Sequence, residues 1–260
     1  MIDERAIVDS SVVVGKNVSV GPWTIVGPGV VLGDNVEIAS SVVVKGPCHI
    51  GAGVKIYQFA TVGEDTPALA YAGEASELTV GDNTIIREGV TIHRGMAAGG
   101  ISKTVVGANC LLMAYVHIGH DCIVGNNVIM ANNASLAGHV VVGDYANFGG
   151  YAGIPQFRQI GAHTHIAGMS LVTKDVPAFM TVAGNPANAI GLNIEGIKRR
   201  GFSEEAIQAV KAAHRLVYRS GKKLQDAIAE LDELRKLHPE VDMFVQSLES
   251  SDKGIIRGRV

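Results

Sequence analysis

Aliphatic residues recur at every sixth position through most of the first two thirds of the chain. One run keeps this spacing from Val14 to Val62, and a second keeps it from Val106 to Val172. Glycine often follows the aliphatic residue, and a small or compact residue stands four positions after it. A valine-rich β-sandwich would not hold this period over 24 hexads. The period predicts a parallel β-helix in which each hexad forms a short strand and a turn.

Three hexads are expected to close one triangular coil, so that residues 18 apart stack in a column. The aliphatic side chains then fill the interior, and the compact residues fit beside them because a narrow core leaves little volume per layer. The three cysteines, Cys48, Cys110 and Cys122, occupy compact positions and are interpreted as small core residues. Their odd number and wide spacing do not indicate a disulfide framework, and they favour a reducing cytoplasm.

The repeat is interrupted twice and then ends. Residues 63–79 and 94–105 lack the pattern and are predicted to be loops that leave the solenoid, where binding sites commonly lie. From Ser203 the period becomes helical: Ser203 is a candidate N-cap, a second helical segment begins near Leu224, and Pro239 opens a third. We therefore predict a solenoid over residues 1–184 and a helical domain over residues 185–260.

Charge and hydropathy narrow the range of possible functions. The net charge is -3, so no basic excess indicates nucleic acid as a partner. No stretch is long and apolar enough to predict a membrane span, and the first twenty residues do not resemble a signal peptide. A cytoplasmic location is expected.

The segment YVHIGHDC, residues 115–122, holds the candidate chemistry. Coil arithmetic places His120 one strand spacing from Gly138, at about 4.8 Å, and Asp121 beside His139. Gln156 follows in the next coil, whereas His117 ends the preceding hexad and lies round the corner.

Two chemistries are open to this cluster. His117, His120 and His139 could be imagined as zinc ligands, but no further His or Cys column completes such a set. A general base needs only one histidine held by a carboxylate, with a donor where negative charge develops. His120, Asp121 and the Gly138 N–H supply that arrangement, and this interpretation is preferred, with no metal expected.

Several longer motifs carry a resemblance to one family. They are IYQFATVGED (56–65), YAGE (71–74), IREGVTIHRG (86–95), HIGHDC (117–122), NNASLAGHV (132–140), IGAH (160–163) and NIEGIKRRGFS (193–203). With these motifs the chain resembles the bacterial UDP-N-acetylglucosamine acyltransferases that open lipid A synthesis. The resemblance implies a left-handed β-helix and a homotrimer with sites between subunits.

The resemblance also implies the reaction. A 3-hydroxyacyl group would pass from acyl carrier protein, which carries it on phosphopantetheine, to the 3-position of UDP-N-acetylglucosamine, without a further cofactor. His120 would be the general base, Asp121 its orienting carboxylate and the Gly138 N–H the oxyanion donor. Gly168 matches the position that gauges acyl length, and glycine there points to a longer chain. The substrate-binding positions implied by the motifs are Tyr71, Gly73, His117, His139, Gln156, Gly168, Asn193, Glu195, Arg199 and Arg200.

The chain departs from the family pattern near the sugar. Ala68 and Ala70 stand where the family usually has aspartate and lysine, and Pro155 replaces a histidine. Arg158 falls at a compact inward position, where a charge is costly unless it is paired or turned outward. One hypothesis is therefore a 3-amino sugar acceptor, which would give an amide. Three competing functions stay open: a hexapeptide acyltransferase acting on a different nucleotide sugar, a zinc hydratase on the same solenoid, and a non-catalytic scaffold.

Overall fold

The chain winds into a three-sided prism of short parallel strands. The structure is a computed structural model that describes residues 1–258. Paired residues such as Ile118 and Leu136 are 18 positions apart, so three hexads make one coil as the repeat predicts. The hexad aliphatic residues, for example Leu112 and Ile118, are fully buried inside the prism.

The strands form one sheet on each side of the prism. Sheet 1 contains Ile7–Val8, Ile25–Val26, Val43–Val44, Thr61–Glu64, Thr91–His93, His117–Ile118, Ser135–Leu136 and Gly153–Ile154. Sheet 2 contains Val13–Val14, Val30–Leu32, Cys48–Ile50, Glu77–Val80, Lys103–Val106, Ile123–Val124, Val141–Val142 and Gln159–Ile160. Sheet 3 contains Ser19–Val20, Glu37–Ile38, Lys55–Ile56, Ile85–Ile86, Leu111–Leu112, Ile129–Met130, Asn147–Phe148, His165–Ile166, Met180–Gly184 and Ala187–Leu192.

The three edges of the prism are named by the sheets they join. His120 and Asp121 lie on edge 1/2, between the sheet 1 strand that ends at Ile118 and the sheet 2 strand that begins at Ile123. Tyr145 and His163 lie on edge 2/3 by the same rule. Edge 3/1 carries Trp23, Phe59, Tyr115, Tyr151 and Met169.

Both loops leave the prism on edge 1/2, and they are shorter than predicted. The expected bounds 63–79 are wrong at both ends and 94–105 is wrong at its C-terminal end, because the flanking residues extend the sheets: the loops are 65–76 and 94–102. Val62 pairs with Ile92, 30 positions on, and Val80 pairs with Val106, 26 positions on. The loops are thus insertions into successive coils rather than the replacement of a whole coil. They lie directly before the coil that carries His120 on the same edge.

The predicted helical segment begins with a strand. Ala187–Leu192 runs antiparallel to Met180–Gly184 and extends sheet 3, so helical structure starts at residue 194 rather than 185. The antiparallel return is a pairing that hexad arithmetic does not describe. The helices are α1 (Ile194–Arg199), α2 (Glu204–Arg219), α3 (Leu224–Glu230), α4 (Asp232–Leu237) and α5 (Pro239–Glu249).

The two helix starts that the sequence predicted at single residues are present in the structure. The Ser203 side chain accepts a hydrogen bond from the Ala206 N–H and begins α2, and Pro239 is the first residue of α5. The second predicted helical segment is divided at Leu231, which is buried at the junction of α3 and α4. Among residues 1–258, no helix is long and apolar enough to cross a membrane.

Candidate active site

The predicted cluster is present on edge 1/2. Nδ1 of His120 lies 2.8 Å from Oδ2 of Asp121, and both side chains are buried. Because a carboxylate can only accept, Nδ1 carries the proton of this hydrogen bond and Nε2 is left free to accept one. Nε2 faces Gly138, where a Cβ atom would lie only 2.5 Å away. His120 is therefore held in the tautomer and orientation that a general base needs.

A backbone N–H group of the adjoining turn also lies beside the His120 imidazole. Across residues 1–258, the Gly138 N–H donates to no protein acceptor. Gly119 lies over it, and a Cβ there would come within 2.8 Å of the Gly138 nitrogen. Two glycines in neighbouring coils thus leave one amide open beside the imidazole, as an oxyanion donor requires.

His139 and His117 flank His120 on two sides. The His139 ring meets the His120 ring edge-on, with centroids 4.8 Å apart, and stacks on Phe157 at 4.4 Å. Nδ1 of His117 lies 2.8 Å from Oγ1 of Thr91, on the outer face of sheet 1. Burial, with the nearby His93 and His120, lowers the pKa of His117 to about 4, so His117 is neutral at pH 7.

Asp121 is a poor candidate for a metal ligand even though its neighbours are suitable. Ligand atoms of His120, Asp121 and His139 all lie within 4.8 Å of one another. However, the Asp121 carboxylate already accepts from His120 Nδ1 and from the Met96 and Ile101 N–H groups. A metal bound through it would have to displace those hydrogen bonds. The donor set suits an orienting carboxylate better than a zinc site.

Tyr71 and Gly73 lie in loop 65–76, on the same edge of the prism as His120. The Tyr71 hydroxyl contacts Asp65 and Glu74 within the loop. The Glu74 carboxylate accepts from the Ala97 N–H of loop 94–102 at 3.1 Å, so the two loops are tied together. Gln156 is exposed in the coil beyond Gly138, where it could contact a ligand.

Gly168 is on a different edge from His120. It lies on edge 3/1, between two and three coils further along the prism, where a Cβ would lie 3.2 Å from the Gly150 carbonyl oxygen. Arg158 is only half-buried at the position expected to point inward; its Nη1 donates to the Phe157 carbonyl oxygen at 3.4 Å, and its buried Nε has no partner. The structure thus offers no acidic partner for Arg158 within residues 1–258.

Apart from the His120 cluster, a cleft of about 540 Å³ lies on the outer face of sheet 3 beside edge 2/3. Asn193, Glu195, Arg199 and Arg200 all line it, so the structure brings together four of the positions that the resemblance implies for substrate binding, as nucleotide and phosphopantetheine contacts. It does not bring them to His120 within one chain, because the cleft and His120 belong to different edges of the prism.

Local contacts explain how this cleft is built. The Asn193 side chain caps α1 by accepting from the Gly196 N–H, and its amide donates to the His163 carbonyl oxygen. The Arg200 guanidinium lies over the Tyr145 ring, 4.1 Å from its centroid. Two cations therefore face a polar cleft, a combination that suits an anionic ligand.

Some contributors to the two sites were not predicted. Thr91, Phe157 and Tyr145 each contact a predicted residue, and backbone N–H groups of loop 94–102 bind Asp121. The spacing of 18 residues could have placed Phe157 above His139 and Tyr145 in the column of His163. Nothing in the repeat could have given the loop contacts, because the loops have no period.

A histidine hydrogen-bonded to a carboxylate beside an open amide, on a hexapeptide prism, fits the class of acyl-transferring β-helix enzymes. Two sequence profiles match the chain. The profile described as "Bacterial transferase hexapeptide (six repeats)" matches residues 11–46, 30–64 and 103–138. That described as "Udp N-acetylglucosamine O-acyltransferase; Domain 2" matches residues 175–256.

Curated and solved relatives agree with these profiles. The acyl-[acyl-carrier-protein]–UDP-N-acetylglucosamine O-acyltransferase of Stutzerimonas stutzeri is 50% identical over 213 residues, 82% of each chain. The solved LpxA of Acinetobacter baumannii is 43% identical, with a TM-score of 0.95 over 98% of this chain and 99% of that one. The UDP-N-acetylglucosamine acyltransferase of Francisella novicida is 38% identical, with a TM-score of 0.96 over 99% and 94%.

The chain belongs to the UDP-N-acetylglucosamine O-acyltransferase family and is an acyltransferase. The β-helix with a helical C-terminal part, predicted from the residue periods, and its left hand, expected from the resemblance, are confirmed by this membership.

Proposed function

We propose that this enzyme transfers a 3-hydroxyacyl group from acyl carrier protein to the 3-hydroxyl of UDP-N-acetylglucosamine, as the first step of lipid A synthesis. The observation that carries the proposal is the placement of His120, hydrogen-bonded to Asp121, beside the open N–H of Gly138. The curated relatives carry that donor and that acceptor in their names.

The residues present account for each proton. The free Nε2 of His120 removes the proton of the sugar hydroxyl as its oxygen attacks the thioester carbonyl carbon. The carbonyl oxygen becomes an oxyanion, which the Gly138 N–H stabilises. When the carbon–sulfur bond breaks, the imidazolium returns its proton to the phosphopantetheine thiolate. Asp121 orients the ring and stabilises its charged form throughout, so the chain needs no further cofactor.

The distribution of the site over two edges supports a homotrimer. Edge 3/1 carries an exposed apolar column along the prism: Trp23 is 63% exposed, Phe59 69%, Tyr115 64%, Tyr151 66% and Met169 76%. If three copies meet at that edge on a threefold axis, sheet 1 of each faces sheet 3 of the next. His120 and the Arg200 cleft then come together at the outer side of each interface. Three triangular prisms meeting at an axis leave wedge-shaped clefts, which suit a bound nucleotide sugar.

Mixing two inactive variants tests this shared site. His120→Ala and Arg200→Ala homotrimers are each expected to lose activity, and co-expression of the two should restore part of it. Restoration follows because some interfaces of a mixed trimer combine an intact His120 edge with an intact Arg200 cleft. No restoration, with mixed trimers demonstrated by differential tags, would place both halves in one chain and contradict the proposal.

The direct test of function is an acyl-transfer assay. Several 3-hydroxyacyl carrier proteins are offered with UDP-N-acetylglucosamine to the wild type, to His120→Ala and to His49→Ala. His120→Ala should lose about 100-fold or more in kcat. The exposed His49 on sheet 2 is the matched control and should be dispensable. Equal activity in all three proteins would contradict the assigned base.

The acceptor has one alternative with a specific observation behind it. Ala68 and Ala70 are in loop 65–76, so the loop lacks the carboxylate and amine expected there, and Pro155 replaces an imidazole beside Gln156. Fewer polar contacts to a 3-hydroxyl sugar would suit a 3-amino acceptor. A competition assay with both acceptors decides between ester and amide products. Metal analysis of the purified protein separately tests the zinc hydratase alternative.

The proposed compartment is the cytoplasm. Cys48, Cys110 and Cys122 are buried free thiols. Unpaired cysteines of this kind are usual where the surroundings are reducing.

A further inference from the structure

The Asp121 carboxylate is held by a loop as well as by His120. Its Oδ1 accepts from the Ile101 N–H at 2.8 Å, and its Oδ2 accepts from the Met96 N–H at 3.1 Å. Oδ2 is also the atom that pairs with His120 Nδ1. Two main-chain donors of loop 94–102 and the imidazole therefore share one buried carboxylate, and together they fix its rotamer.

The close approach of this loop depends on Gly100. A Cβ atom on Gly100 would lie 2.5 Å from Oδ1 and 2.6 Å from Oδ2 of Asp121, and 2.3 Å from the Met96 carbonyl oxygen. The φ angle of Gly100 is not in the left-handed region, so alanine would meet no backbone strain there. The missing side chain is needed for the contact with Asp121 and for the turn that presents the two N–H groups.

Other contacts hold the loop against Asp121. The Asp121 N–H donates to Oγ1 of Thr104, in the strand that follows the loop. On the outer side, Glu74 of loop 65–76 accepts from the Ala97 N–H. Loop 94–102 thus contacts loop 65–76 on one side and the Asp121 carboxylate on the other.

We propose that loop 94–102 is a positioning element for His120, and that Gly100 is the residue that makes it possible. The Met96 and Ile101 N–H groups occupy the carboxylate lone pairs that His120 does not use. They prevent Asp121 from rotating away from Nδ1, so the imidazole stays in its reactive orientation only while the loop is seated. The proposed acyl transfer supplies one readout, and the hydrogen bonds supply others that do not depend on activity.

The kinetic test compares Gly100→Ala with Ala98→Ser, an exposed position in the same loop. Gly100→Ala should lower kcat by about 10- to 100-fold and leave KM for both substrates within about 2-fold, because binding groups are untouched. Ala98→Ser should match the wild type. A Gly100→Ala enzyme that folds and retains full kcat would overturn the proposal.

A spectroscopic test follows the hydrogen bond itself. In protein labelled with ¹⁵N-histidine, the His120 Nδ1–H should give a protected downfield proton signal, assigned by its loss in His120→Gln. Gly100→Ala should lose or broaden the signal, and Ala98→Ser should keep it. If the wild type shows this pattern but no acyl transfer, the positioning role stands and the proposed function fails. If the signal persists in Gly100→Ala, the positioning role fails.

A third measurement covers the case in which Gly100→Ala does not fold. Hydrogen exchange, followed by mass spectrometry, should show slow exchange in a peptide spanning residues 94–102 of the wild type. Asp121→Asn should accelerate it, because an amide presents one acceptor oxygen instead of two. Unchanged exchange in Asp121→Asn would show that the carboxylate does not hold the loop and would refute the proposal.

Discussion

A Cβ atom built on Gly138 would lie 2.5 Å from Nε2 and 2.6 Å from Cε1 of His120. The turn that carries the open N–H therefore contacts the imidazole directly, across one coil spacing. No side chain fits between them, so in the proposed reaction the attacking hydroxyl and the thioester carbonyl would enter from the side.

Replacing Gly138 by alanine should displace His120 and block the reacting atoms. We expect kcat/KM to fall by about 100-fold or more, while the unfolding temperature changes little. Gly27→Ala is the matched control: Gly27 is on the same edge, and a Cβ there meets its nearest atom, the Val44 carbonyl oxygen, at 3.5 Å. Near-normal kinetics in Gly138→Ala would show that the amide and the imidazole do not act together.

Gly168 should affect acyl length rather than rate. Gly168→Met is expected to shift preference toward shorter 3-hydroxyacyl donors, because in the proposed trimer a side chain on edge 3/1 would fill the space in which the acyl chain would end. Gly168→Ala should give a smaller shift in the same direction. The measurement is kcat/KM across donors of increasing length, and unchanged preference in the methionine variant would refute this role.

Tyr145 should act through Arg200. The guanidinium lies over the Tyr145 ring at 4.1 Å, a contact worth about 1 kcal/mol. Tyr145→Leu removes the aromatic face and should raise KM for the nucleotide sugar about 3- to 10-fold with kcat nearly constant. Tyr145→Phe keeps the ring and should behave as the wild type. Equal KM values in the two variants would show that the stacking does not position Arg200.

His163 should make the protein less stable in acid. Its ring stacks between Tyr145 and Phe179. Burial, assisted by Arg200, lowers the pKa of His163 from 6.5 to about 4. The unfolded chain then binds the proton more readily, so stability is complete above about pH 6.5 and is lost as the pH falls toward 4.

His163→Phe should remove this dependence while keeping the stack, since Nδ1 of His163 has no hydrogen-bond partner. Between pH 7.5 and 5 the unfolding temperature of the variant should fall less than that of the wild type, by a few degrees. The exposed His49, changed to Gln, is the control and should leave the wild-type dependence. Parallel curves for wild type and His163→Phe would contradict the prediction.

The cysteines should be inert in the folded protein. Burial raises the pKa of the Cys48 and Cys122 thiols to about 12 and also raises that of Cys110. The reactive thiolate is therefore scarce and inaccessible at pH 8. An alkylating reagent should label none of the three thiols in native protein and all three in denaturant. Mass spectrometry that finds one cysteine rapidly labelled in the native state would contradict this.

The hexad repeat predicts those positions that depend only on how the chain winds into coils. Column arithmetic placed Gly138 beside His120 because the hexad fixes both the rise and the turn of every coil. It also put the cysteines at buried positions for the same reason. Where the chain leaves the period, local sequence propensity did not predict the structure. Ala187–Leu192 forms a strand because it pairs with Met180–Gly184.

The contacts of Asp121 show the same difference between what the repeat predicts and what it does not. Its pairing with His120 follows from adjacency, but its hydrogen bonds to Met96 and Ile101 depend on how an aperiodic loop folds back. Likewise, no spacing indicates that Arg200 lies over Tyr145, because a helix after the solenoid carries the arginine. The proposed site combines two distant edges of the prism from neighbouring chains, and the residue pattern of a single chain does not indicate such a combination.

Both insertions leave from one edge, and the strands on either side of them remain in parallel register. The main-chain ladders therefore continue on both sides of the loops, with one register shift between Val62 and Glu64 where loop 65–76 begins. Under the proposed function, substrate choice can diverge through exchange of loop 65–76, whereas loop 94–102 must keep the N–H groups that hold Asp121. Grafting loop 65–76 of a relative with a different acceptor is accordingly the simplest way to redirect such an enzyme.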